Sequence, residues 1–198
     1  MKNAVLTMCL AAALAAFASC EKESNEPKGE PAESVEIDTR AYDKWTYFSF
    51  DKGVVAEPAD FTDNTDWDLA FHRWDVRTNG GASGKGQGGA YMLEQTSLDD
   101  LPAPDAALLK SDGTILTYMK VPDMTGENNQ RVEVPASTEL GQWMHVAMGT
   151  TPPTYAMLHN VFVVRAADGR FAAIRFLNYM NDKAEKGHVR FEYVFPIR

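Results

Sequence analysis

The sequence predicts a mostly β domain, an antiparallel meander or sandwich-like single domain with few short helices. Three observations point there. "KGHVRFEYVFPIR" alternates Val189, Phe191, Tyr193 and Phe195 with polar neighbours, the period of two of a half-buried strand. "NVFVVRAADGRFAAIRFLNYM" sets two β-prone runs on either side of Asp168-Gly169, a strong hairpin signal. No segment carries a long 3.6-residue apolar period, and only "DAALLK" (105–110) and "NDKAEK" (181–186) offer short helices.

The chain is expected to begin with a signal peptide, residues 1–19. Lys2 supplies a short positive start, and the apolar run "AVLTMCLAAALAAFAS" is too short and Ala-rich to span a membrane well. The run closes on "FASC", which resembles a bacterial lipobox, so Cys20 is the expected lipidation site. Cys9 lies in the leader. The mature chain then keeps one cysteine, which excludes a disulfide, a cysteine metal site and a cysteine nucleophile. Residues 20–36 are rich in Glu, Pro, Lys and Ser, have little to bury and read as a flexible tether. The β domain is expected over 37–198.

Within it, "KWTYFSF" (44–50) is aromatic and β-prone, and Asp51-Lys52-Gly53 can turn it into "VVAE". "DWDLAFHRWDVR" (66–77) reads as one alternating strand, with Trp67, Leu69 and Phe71 on one face and Ala70, His72, Trp74 and Val76 on the other. "NGGASGKGQGGA" (79–90) has six glycines, and "SDGTILTYMKV" (111–121) is a turn feeding a strand. The 28 acidic residues outnumber 19 basic ones. Such a chain is a poor partner for nucleic acid or for an anionic membrane surface, so membrane contact falls to the lipid.

Most of the familiar catalytic patterns fail. The glycine-rich stretch has Gly-Lys without a following Ser or Thr, and its Gly84, Gly86 and Gly89 spacing has no βαβ unit around it. A wide turn with close backbone approach is the better reading. His72, His145, His159 and His188 are scattered without zinc-ligand spacing, and His72 reads as structural. No Gly-x-Ser-x-Gly element occurs, and no enzyme activity is expected. The methionines are more informative. In "WMHVAMGTTPPTY" (143–155), alternation places Met144, Val146 and Met148 on one face and Trp143, His145 and Ala147 on the other. In "TYMKVPDMTGE", Pro122 breaks the strand and leaves Met124 in a loop. Methionines are mostly core filler. If their sulfurs bind anything, a soft thioether suits Cu(I) or haem iron and is poor for zinc, calcium or magnesium.

The blocks "KWTYFSFDKGVV", "DWDLAFHRWDVRTNGGASGKGQGGA" and "PPTY" followed by "VFVVRAADGRFAAIRF" resemble the HmuY family of haem-capturing lipoproteins, over most of residues 37–198. The resemblance implies a mostly β fold holding one haem b in a cleft between two axial ligands, two histidines in some members and two methionines in others. It puts one ligand just before a Gly, here Met148 before Gly149, and the other in the loop after a strand like "ILTYMKV", where Met124 is the first choice and Met119 the second. Tyr118, Trp143 and Tyr155 are then candidate walls, and Lys120 or Arg131 candidate propionate partners. The resemblance also implies a surface-exposed outer-membrane lipoprotein, anchored or released. It would take haem from host haemoproteins and deliver it to a TonB-dependent outer-membrane haem receptor. Methionine ligands do not protonate near neutral pH and favour ferrous iron, so haem binding should strengthen on reduction and change little in mild acid. The alternatives are a Cu(I)-binding lipoprotein and a glycan- or protein-binding module on the same scaffold.

Overall fold

The structure is a computed structural model and describes residues 32–147 and 153–198. The leader, Cys20 and Met148 lie outside the described residues. The strands, in chain order, are β1 (Glu33–Asp38), β2 (Thr46–Ser49), β3 (Gly53–Val55), β4 (Leu69–His72), β5 (Asp75–Thr78) and β6 (Gly89–Met92). They are followed by β7 (Gly113–Thr117), β8 (Val132–Ala136), β9 (Met144–Ala147), β10 (Thr154–Met157), β11 (Val161–Arg165), β12 (Phe171–Met180) and β13 (Lys186–Ile197). All pairings among the named strands are antiparallel. Among the described residues helix is limited to 3₁₀ turns at Gly81–Ser83, Ala106–Leu108 and Leu140–Trp143, so the mostly β class holds.

Two sheets carry the fold. One runs β1-β13-β12-β11-β6 and the other β3-β2-β4-β5. Phe48, Leu69, Phe71 and Val76 of the smaller sheet meet Phe162, Ile174, Phe176, Val189 and Phe191 of the larger. Phe71 stacks on Phe191 with ring centres 5.4 Å apart, while Phe48 meets the same ring edge-on. Burial of these side chains is the main source of stability. The Asp168-Gly169 hairpin joins β11 to β12, with Gly169 at φ +95 where a side chain would be strained.

The stretch 66–77 corrects the sequence expectation. It is two strands rather than one, reversed at Arg73, whose φ of +53 is unusual for a residue with a side chain. Strand β4 is buried on both faces. Leu69 and Phe71 enter the main core, whereas Ala70 joins Trp45, Tyr47 and Trp67 in a second, smaller core on the outer side of the sheet. Its lid is the β7–β8 hairpin, which contributes Ile115, Val134 and Ala136. Arg77 is buried with it, its guanidinium 3.6 Å from the Trp45 ring centre and 4.4 Å from that of Phe61. Alternation along β4 thus separates two cores from each other and not core from solvent.

The helix expectations shrink. "DAALLK" forms a single 3₁₀ turn, capped where Asp105 accepts from the Ala107 N–H at 2.8 Å. "NDKAEK" forms no helix. Asn181 Oδ1 accepts from the N–H groups of Lys183 and Glu185, and this local bonding competes with a helical turn. The glycine stretch folds back over Asn79, where a Cβ on Gly88 would stand 2.5 Å from the Asn79 carbonyl.

Candidate functional site

The β7–β8 and β9–β10 hairpins are two-stranded sheets of their own. Between them lies an open groove of about 570 Å³. Ile115 and Leu116 of β7 form one wall, and Met144, His145 and the nearby Leu158 form the other. The floor is Asp75 and Val76 of β5 with Ser137, Thr138, Gly141 and Gln142 of the segment that links β8 to β9. The sides are mostly apolar, with His145 the exception, and the base is mostly polar, a mixture found in small-molecule clefts.

Two carboxylates fix the β7 wall. Asp112, just before β7, accepts from the Thr78 N–H (2.8 Å), the Thr78 hydroxyl (2.8 Å) and the Ser83 hydroxyl (2.6 Å). It is buried, and burial pushes its pKa up to about 6 against the pull of those donors. Asp75 accepts from the Thr117 hydroxyl at 2.6 Å, which ties the far end of β7 to the groove floor. Behind Asp75 sits fully buried His72. Its Nε2 lies 2.8 Å from the Tyr42 carbonyl, which can only accept, so Nε2 carries the proton. Its Nδ1 has no hydrogen bond and stands 3.6 Å from Asp75. The expected structural role of His72 fits this placement.

On the opposite wall, alternation begins only at Met144. Met144 is buried and Val146 packs on the main core, while His145 is exposed along the groove. Trp143 belongs to the preceding 3₁₀ turn. It is fully buried, stacks on Phe176 at 4.5 Å and donates its indole N–H to the Trp74 carbonyl at 2.8 Å. That places Trp143 within the core behind the groove wall and not beside His145 as the alternation suggested. Tyr155 packs on Tyr179, with the Lys186 ammonium 4.3 Å above its ring.

The loop 118–131 extends the β7–β8 hairpin. Tyr118 is half-buried with the Arg131 guanidinium 5.2 Å over its ring, and Lys120 is exposed. Met119 packs against the second core. Met124 is in the loop, as Pro122 suggested, and is 105% exposed, with none of the described residues covering its thioether. Met148 follows the last residue of β9 in sequence and, like Cys20, lies outside the described residues. Among the described residues no group of three or more His, Cys, Asp or Glu is placed to hold a metal ion, so the described part of the groove has no nitrogen–oxygen metal cage. No local pattern marks Leu116, Leu158, Asp75 or Gln142 as lining. They are distant in the chain, and only packing brings them to one groove.

Two stacked antiparallel sheets with a ligand-sized groove between projecting hairpins define the class: a β protein built around a binding cleft. Within that class, the family profile for the HmuY protein matches residues 41–193, and the chain belongs to the HmuY family. No curated protein matches it. Among solved structures, a Bacteroides vulgatus protein named as HmuY-like and heme-binding is 26% identical with a TM-score of 0.68, covering 84% of this chain and 93% of its own. The apo HmuY analog of Tannerella forsythia is 27% identical with a TM-score of 0.64, covering 86% of this chain and 100% of its own. A Bacteroides fragilis structure described as a lipoprotein is 27% identical with a TM-score of 0.64, covering 84% and 90%.

Proposed function

We propose that this protein is a hemophore, a binding protein and not an enzyme, that captures haem b through Met124 and Met148 as axial ligands. The observation that carries the reading is Met124. Its thioether is fully exposed on the loop of a hairpin that flanks the groove, so the sulfur is free to meet a ligand. Family membership and the haem-binding name of a relative support haem as that ligand. The groove volume falls in the range of small-molecule and cofactor sites. A soft sulfur donor suits haem iron, and bound haem would supply reversible iron ligation there. Met119 is the second choice for the first ligand, because its side chain is already engaged against the second core.

Acylation at Cys20, a surface-exposed outer-membrane location, a role in iron acquisition, uptake from host haemoproteins and delivery to a TonB-dependent outer-membrane receptor complete the proposal. The "FASC" motif and the lipoprotein description of the B. fragilis relative support the anchor.

The test is an absorption titration with haem, oxidised and dithionite-reduced, on the parent and on Met124→Ala, Met119→Ala and Met148→Ala. Tighter ferrous binding is expected, with loss of the six-coordinate spectrum in Met124→Ala and Met148→Ala alone. Equal or tighter ferric binding, or an unchanged spectrum in Met148→Ala, counts against methionine ligation.

A further inference from the structure

We infer that Asp123 is a positioning residue that holds Met124 in place for the iron, an inference that rests on Met124 being an axial ligand. The Asp123 carboxylate accepts from the Thr125 N–H at 2.9 Å, the Thr125 hydroxyl at 2.7 Å and the Gly126 N–H at 2.8 Å through one oxygen. Its other oxygen accepts from the Asn128 amide at 2.7 Å. From the far side, Asn129 closes on the same residue. Its amide oxygen accepts the Asp123 N–H at 2.9 Å, and its amide nitrogen donates to the Asp123 carbonyl at 3.0 Å.

Both backbone groups and both carboxylate oxygens of Asp123 are therefore occupied. Met124 sits between Asp123 and Thr125, and each neighbour is pinned. Gly126 at φ +86 turns the chain beneath, with open space where a Cβ would be. The backbone of Met124 is held while its side chain is left without a covering neighbour. A loop that only needed to join β7 to β8 could have folded this methionine inward. Fixing the backbone before the ligand arrives shifts the ordering cost from binding to folding, which raises affinity without adding a contact.

The test uses the full chain, reduced with dithionite and titrated with haem, in the parent, Asp123→Ala, Asp123→Asn and Met124→Ala. Asp123→Ala should bind ferrous haem about tenfold more weakly, the scale of ordering about one residue's backbone on binding. Its saturated spectrum should show a five-coordinate fraction that the parent lacks. Asp123→Asn keeps one acceptor oxygen and should recover part of both. Thermal unfolding of the haem-free Asp123→Ala variant should stay close to the parent, because three of the four bonds it removes are exposed and all lie within the loop. A parent-like spectrum and affinity in Asp123→Ala, alongside a five-coordinate Met124→Ala, overturns the positioning role and leaves Met124 as ligand. A parent-like Met124→Ala removes the ligand itself, and the inference falls with it.

Discussion

In β13, Val189, Phe191 and Tyr193 are 0%, 0% and 4% exposed, while on the β7–β8 hairpin and its loop Leu116, Val121 and Met124 are 57%, 63% and 105% exposed. Both regions place apolar side chains on antiparallel backbone. The five-stranded sheet buries them against a second sheet, and the hairpin buries its inner row, Ile115, Val134 and Ala136. The outer row stays exposed. On the proposed function, fold stability and ligand capture fall to different residues of similar chemistry, and substitutions should separate the two.

The largest effect should come from the core behind the groove. Trp143→Ala removes a buried indole, its stack on Phe176 and its bond to the Trp74 carbonyl. The expected loss is about 3–5 kcal/mol of unfolding free energy, measured by urea denaturation of the haem-free protein. A loss below about 1 kcal/mol would mean that Trp143 is not core, and would blur the contrast between the regions.

The next effect tests the joint between them. Asp112 fastens the start of β7 to the body through Thr78 and Ser83, and burial raises its pKa from 3.8 to about 6. The folded state then holds that proton more tightly than the unfolded chain. This group's contribution to stability is full below about pH 4 and is lost as pH rises through about 6. The pH-dependent part amounts to up to about 3 kcal/mol. Asp38 acts in another window, because the Arg40 side chain holds it down to about 2, and its contribution is lost only as pH falls below about 4. Urea denaturation of the parent and of Asp112→Asn between about pH 4 and pH 7 isolates the Asp112 slope, which should vanish in the variant. Equal slopes would show that Asp112 is already ionised below that range.

The same contrast explains which parts were legible in the sequence. In β13 a period of two means inside against outside, so the strand and its buried face could be read directly. In "DWDLAFHRWDVR" the period was present but its meaning differed, because the β7–β8 hairpin covers what would otherwise be the solvent face. The reversal at Arg73 left no trace either, since a left-handed residue without glycine or asparagine carries no local signal. Met124 could be placed in a loop because Pro122 interrupts the strand. The bonds around Asp123 could not be foreseen, although "PDMTGENN" supplies the polar residues they use. The groove floor was invisible, as Asp75, Ser137 and Gln142 meet only after two hairpins have docked on one sheet.

The smallest effect on stability is the sharpest test of the comparison. Met124→Leu keeps an apolar side chain of similar volume and replaces the thioether with a branched hydrocarbon. With none of the described residues packed on Met124, unfolding of the haem-free variant should stay within about 0.5 kcal/mol of the parent. Haem should then separate the two proteins. A ligand that binds only the folded state stabilises it by mass action, so adding ferrous haem should raise the unfolding midpoint of the parent more than that of Met124→Leu. Leucine can still contribute to covering the porphyrin but has no lone pair for the iron. An equal rise in both would assign Met124 to the apolar wall of the groove, and the search for the first axial ligand would move to Met119.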